Sequence, residues 1–229
     1  MEKVIEKLIR SSEPLTSSVE RDDFICASEK AFDCKFDGTS KFYPWELPIK
    51  LPSKFKLGVI VGSSGSGKST LLSKFGKEEQ PIWSLNKSIV SHFDSPDDAI
   101  NKLGSVGLNT VPSWYKSYDV LSNGEKFRAD LARKLKSGAV IDEFTSVVDR
   151  TVAKAASISL SRYIKNNDLE NVVISTCHHD ILEWLEPDWV IDTDTGEFLN
   201  GFFLSDQKSL SRYIAQSMIL GECLKTIII

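Results

Sequence analysis

The chain has 229 residues, 41% hydrophobic and 26% charged, a composition that excludes a disordered, collagen-like or low-complexity polypeptide. Its 28 Lys and Arg against 32 Asp and Glu leave a formal charge of −4, which argues against a domain living on nonspecific contact with a nucleic-acid backbone, while allowing a local basic patch. The length suits one large domain or two small ones, enough chain to bury a core without disulfide or metal staples.

Cys26, Cys34, Cys177 and Cys223 show no Cys-x-x-Cys spacing, so no zinc site is expected and a reduced, cytoplasmic setting is. Charges scattered through Met1 to Arg10 leave no apolar segment for a secretory leader. The longest apolar runs, such as Leu57 to Val61, fall far short of a membrane span, and a soluble chain is expected.

Val4, Ile5, Leu8 and Ile9 fall on one helical stripe and predict an N-terminal helix. From Arg21 to Leu51, aromatic and β-branched residues broken by Gly38, Pro44 and Pro48 read as short strands and turns, an antiparallel edge. Phe55 to Val61 is a buried strand ending at Gly62, and Lys68 to Phe75 a helix stopped by Gly76. Residues 77–120 are polar, with helical patterning over Pro96 to Leu103 and turns around Pro112. A helix runs from Ser122 towards Lys136, Ala139 to Ile141 is a strand, and a long helix spans about Arg150 to Lys165. Val172 to Thr176 is a second buried strand, Ile181 to Leu185 a helical turn, and Trp189 to Leu199 a hairpin around Asp194-Thr-Gly. Ser205 to Leu220 reads as a helix. Strands alternating with helices predict an α/β fold, a parallel-sheet core with helices on both faces and an N-terminal antiparallel edge.

Gly62-Ser63-Ser64-Gly65-Ser66-Gly67-Lys68-Ser69-Thr70 fits the G-x-x-x-x-G-K-[S/T] phosphate-loop pattern, between strand and helix. Glycines let the backbone curl so that its amides converge on phosphate, and the helix start adds positive potential. Lys68 is expected to reach the β- and γ-phosphates and the Ser69 hydroxyl to bind Mg²⁺. After the strand Ala139 to Ile141 come two carboxylates: Asp142, expected on the magnesium, and Glu143, expected to polarise the attacking water.

Between these lies Leu121-Ser122-Asn123-Gly124-Glu125, locally a capping box in which Ser122 caps a helix and Glu125 reaches back. Its place before Asp142 resembles the signature of the ATP-binding-cassette (ABC) ATPases. Ser146-Val-Val-Asp149 is similar to that family's D-loop, and Thr176-Cys-His178-His179-Asp180 to its switch-histidine segment. The resemblance covers roughly Phe55 to Asp192. It implies a P-loop NTPase that binds and hydrolyses ATP with Mg²⁺, in which Ser122, Asn123, Gly124, Glu125 and Asp149 also meet nucleotide and His178 (alternate: His179) acts as the switch.

Asn123 and Glu125 depart from the family's signature, and no Q-loop glutamine stands out; Gln80 and His92 are the stand-ins to weigh. Phe36, Phe42, Tyr43 and Trp45 are candidates for stacking on adenine, with core packing as the competing role. For Arg128, Lys134 and Lys136, contact with phosphates competes with a solvated helical face. The resemblance also implies an ATP-dependent homodimer, each signature closing on its partner's phosphate loop. Residues 77–136 are expected to form a reduced helical subdomain, and 205–229 a C-terminal helical extension, within one ABC-type domain.

The shortened subdomain favours a soluble ATPase acting on a nucleic-acid or protein partner over a membrane-transporter subunit. A third reading is an ATP-gated binding module with vestigial hydrolysis. The wording of 106–114, 121–133 and 183–190 is similar to stand-alone prokaryotic or phage ABC ATPases, some linked to acetyltransferases; no such domain is expected within these residues.

Overall fold

The computed structural model describes residues 5–200, 211 and 213–215. Strands β1 (Ile5–Lys7), β4 (Leu57–Val61), β5 (Val140–Ile141), β6 (Val172–Thr176), β7 (Trp189–Asp192) and β8 (Glu197–Asn200) form a six-stranded sheet in the order β1-β8-β7-β4-β6-β5. The segment β7-β4-β6-β5 is parallel, while β8 pairs antiparallel with β7 and β1 antiparallel with β8. Strands β2 (Leu15–Ser18) and β3 (Thr39–Phe42) make a separate antiparallel ribbon. The expected parallel core and N-terminal antiparallel edge are both present.

Every residue of β4 and β6 is buried, as a central strand covered on both faces requires. Alternation divides them: Val59, Val61 and Ile174 enter one core, and Ile60 and Val173 the other. The first core takes residues from helices α3 (Pro96–Ser105), α5 (Asn123–Lys134), α6 (Arg150–Asn166) and α7 (Leu182–Leu185). The second takes Leu71 and Leu72 of α2 (Lys68–Leu72) with Trp189, Phe198 and Leu8, and Trp45, Leu47 and Phe55 pack on it.

Two expectations are corrected. The N-terminal stripe is a strand: Ile5, Glu6 and Lys7 pair with Leu199, Phe198 and Glu197, because the open edge of β8 offers unpaired backbone groups that outweigh weak helical patterning. Within 21–51, Asp23–Phe32 is a helix, α1, rather than strands. Asp22 caps it by accepting from Ile25 N–H at 2.9 Å, Asp23 and Lys30 sit at the ends that suit their charges, and Asp33 closes it with φ 48°. Those cap signals are local and outvoted the strand-like composition. The turns around Pro112 contain a short helix, α4 (Val111–Trp114), and β5 is shorter than the predicted strand. Most of the helix expected over 205–220 lies outside the described residues; 211 and 213–215 are helical.

A Cβ at Gly58 would stand 2.0 Å from Trp189 Cζ2, in a ring that is fully buried. Gly58→Ala is therefore expected to lower the unfolding free energy by about 1–3 kcal/mol through overpacking. Urea denaturation measures this, and an unchanged midpoint would show that the ring yields freely.

Candidate functional site

Parallel strands β4, β5 and β6 end at one edge of the sheet, so the loops that follow them are neighbours. After β4 the chain turns through Gly62, Gly65 and Gly67, all at positive φ (153°, 80° and 99°), a path that side-chain-bearing residues rarely take. At Gly67 a Cβ would lie 2.6 Å from Phe42 Cζ, so the ribbon's aromatic seats directly on the loop. Leu71 N–H bonds Gly67 O at 3.0 Å and starts α2. The amides of Gly65, Gly67, Lys68 and Ser69 find no acceptor among the described residues, leaving backbone donors of the kind that can meet an anion. Lys68 is buried, with Nζ donating to Ser63 O at 2.7 Å.

After β5, Ser175 Oγ donates to Asp142 Oδ1, and Glu143 N–H donates to the same oxygen at 3.0 Å and to Ser175 Oγ at 3.1 Å. Asp142 Oδ2 receives no hydrogen bond from the described residues. Glu143 and Thr145 both have positive φ (50° and 69°), and Phe144 N–H is tied to Ser175 O at 2.8 Å. On this bent backbone Glu143 is exposed. A cleft of about 440 Å³ is lined by Ser69, Ser73, Glu78 and Asp142 among others. A neighbouring one of about 510 Å³ is lined by Glu78, Gln80, Asn123, Asp142, Glu143 and Ser146 among others.

His178 Nδ1 lies 3.1 Å from Thr145 Oγ1. Burial, with Arg150 and His179 nearby, holds its imidazole below the ordinary range. His179 points elsewhere, its Nε2 3.1 Å from the buried Asp192 Oδ2. Asp149 caps α6, its Oδ1 accepting from Thr151 and Val152 N–H.

Ser122 caps α5, and Glu125 closes the capping box: its Oε2 accepts from Ser122 N–H at 2.9 Å and Ser122 Oγ at 2.8 Å. Glu125 Oε1 takes the Ser113 hydroxyl at 2.6 Å. Among the described residues no hydrogen bond or ion pair joins 122–125 to 62–70.

Sequence reasoning overlooked Glu78, which accepts Asp142 N–H at 3.1 Å, pairs with Lys134 at 2.8 Å and lines both clefts. Its position just past Gly76, where the sequence predicts the helix to stop, was the available signal, although α2 itself ends at Leu72. It overlooked Ser175 too, where a polar residue inside an apolar strand was the clue. His92 is spent internally, Nε2 accepting from Ser84 N–H and Nδ1 meeting Ser88 O, whereas Gln80 lines the larger cleft. Lys134 and Lys136 are paired with Glu78 and Glu79. Of the aromatics, Trp45 lies under the Arg10 guanidinium at 3.8 Å, and Tyr43, next to Phe42, is exposed.

The chain has the α/β P-loop fold of the ABC ATPases. It is similar to the ATP-binding cassette MJ0796 in a dimeric post-hydrolysis state bound to ADP and Pi, with 13% identity and a TM-score of 0.51 over 86% of this chain and 95% of that one. A second dimeric structure of MJ0796, described as a bacterial ABC transporter cassette, is similar with 15% identity and a TM-score of 0.50, covering 82% of this chain and 94% of that one. At these identities the likeness is one of fold. No family model matches the sequence, and no curated protein matches it.

The Ser113 hydroxyl, followed by the Ser122 amide and hydroxyl, holds the Glu125 carboxyl at about 2, below its ordinary 4.5. A depressed folded value makes its contribution complete above about 4.5 and progressively lost as pH falls towards about 2. In urea titrations the stability gap between wild type and Glu125→Gln is therefore expected to be full at neutral pH and to close across that acid window. A gap independent of pH would remove the carboxylate from the cap.

Proposed function

We propose that the chain is an ATPase that hydrolyses Mg·ATP and pairs head-to-tail with a second copy when ATP is bound. The observation that carries this reading is the glycine-curled loop with the amides of Gly65, Gly67, Lys68 and Ser69 unbonded among the described residues and a buried Lys68, beside a cleft shared by Ser69 and Asp142. In it, Gly62, Ser63, Ser64, Gly65, Ser66, Gly67 and Thr70 form or flank the cradle, and Lys68 meets the β- and γ-phosphates.

Ser69 Oγ and Asp142 Oδ2 are hard oxygen donors on one cleft, which fits Mg²⁺. They would hold the ion, which when bound offsets the phosphate charge. Glu143 takes a proton from water as that water bonds to the γ-phosphorus and the bond to the β–γ bridging oxygen breaks, releasing ADP and phosphate. His178, held near Thr145 with its pKa pushed down by burial, offers a hydrogen bond to the γ-phosphate.

The start of α5 serves the partner's nucleotide. Since Glu125 occupies the Ser122 hydroxyl, the amides of Asn123 and Gly124 supply the approach, with Asp149 alongside. The dimeric state of the MJ0796 structures supports this pairing. Residues 77–136 act as a reduced helical arm. Its surface carries exposed Ile82, Leu85, Tyr115 and Val120, which supports a protein partner over a nucleic acid for a chain of charge −4. A transporter-subunit role draws support from the description of MJ0796 as a transporter cassette. No helix among the described residues is long and apolar enough to cross a membrane.

Calorimetry with Mg·ATP is expected to show binding that Lys68→Ala abolishes; unchanged affinity would remove Lys68 from this role. Glu143→Gln is expected to bind ATP, accumulate a dimer in sedimentation runs and turn over at least about a hundredfold more slowly. Parental turnover would exclude Glu143 as the base. Ser122→Arg should bind ATP as a monomer yet fail to dimerise, and a normal ATP-dependent dimer would contradict the shared site.

A further inference from the structure

The turn joining β7 to β8 is locked onto the phosphate loop. Asp194 Oδ2 and Oδ1 accept the Ser63 N–H at 2.8 and 3.0 Å, and Oδ1 accepts the Ser63 hydroxyl at 2.7 Å. Beside it, Thr193 Oγ1 lies 2.6 Å from Ser66 Oγ and donates to Val61 O at 3.1 Å. The approach is so close that a Cβ on Gly62 would stand 2.2 Å from Thr193 Oγ1.

The turn is itself held from below. Fully buried Asp192 accepts Asp194 and Thr195 N–H on Oδ1, at 2.8 and 3.1 Å, and meets His179 and the Tyr213 hydroxyl on Oδ2. His179, Asp192 and Asp194 have ligand-type atoms within 4.8 Å of one another. The carboxylate oxygens are already committed to these donors, so the cluster is a clamp rather than a metal site.

Ser63, clamped in this way, also steers the lysine, since its carbonyl oxygen receives Lys68 Nζ at 2.7 Å. We infer that Asp194 is a positioning residue for the phosphate loop. By gripping both donors of Ser63 it presets the curl and the lysine before nucleotide arrives, so that less loop ordering is left for binding to supply. This inference rests on the reading that the loop binds the phosphates of ATP.

The test is calorimetry with Mg·ADP, and steady-state ATPase kinetics, on wild type, Asp194→Ala and Asp194→Asn. Loss of the charge-assisted bonds in Asp194→Ala is expected to raise Kd and KM about tenfold, with kcat at saturating ATP falling less than KM rises. Asp194→Asn keeps an acceptor for the Ser63 amide and should restore most of the affinity, which a general loss of folding would not allow. Wild type that binds Mg·ADP, with Asp194→Ala binding as tightly or Asp194→Asn as weak as the alanine variant, overturns the role of Asp194 alone. Wild type that does not bind Mg·ADP overturns the ATP reading beneath it as well.

Discussion

A tight backbone curl at the end of β4 constrains the rest of the molecule. In this curl Gly62, Gly65 and Gly67 take positive φ, and two of them accept neighbours so close that no Cβ fits. Phe42 presses on Gly67 from the N-terminal ribbon, and Thr193 on Gly62 from the β7–β8 turn. The loop is thus shaped from two sides by distant segments, and its amides and its lysine inherit their direction from that enclosure.

Around this curl the parallel sheet does the assembling. Strands buried on both faces cannot shift without exposing apolar surface, so the loops after β4, β5 and β6 have fixed relations at one edge. Ser175 uses this rigidity: its hydroxyl and carbonyl hold Asp142, Glu143 and Phe144 at once. That grip supports two residues in the left-handed region, strain of a kind that tends to persist where neighbours over-determine the backbone. The adjacent histidines then part, one towards Thr145 and the other into the buried carboxylate of Asp192.

The helical half of the molecule has a different logic. Glu125 satisfies Ser122 and Ser113 and so stiffens the α5 start, while Glu78 ties Asp142 to Lys134 of the same helix. The glycine-rich loop after β4 and the α5 start nevertheless make no hydrogen bond with each other among the described residues. Two anion-seeking backbone features held apart within one chain are the physical motive for the pairing of copies proposed above.

Features governed by neighbouring residues were readable directly from the order of amino acids. The glycine spacing announced the curl, Ser122 and Glu125 announced the cap, and short runs rich in Val and Ile announced β4 and β6. The α/β class followed from their alternation. The glycine-rich segment and the two carboxylates that the proposed function uses stand out in the sequence too, because such chemistry demands particular residue types at short spacing. Folding in three dimensions settled what no window of sequence contains. It turned the first residues into a strand because β8 had an open edge, and it brought Asp194 to Ser63 across 131 positions and Glu78 to Asp142 across 64. A hydrogen bond between distant residues costs chain entropy to close, and only the packed sheet and helices repay that cost, so such contacts leave almost no local trace.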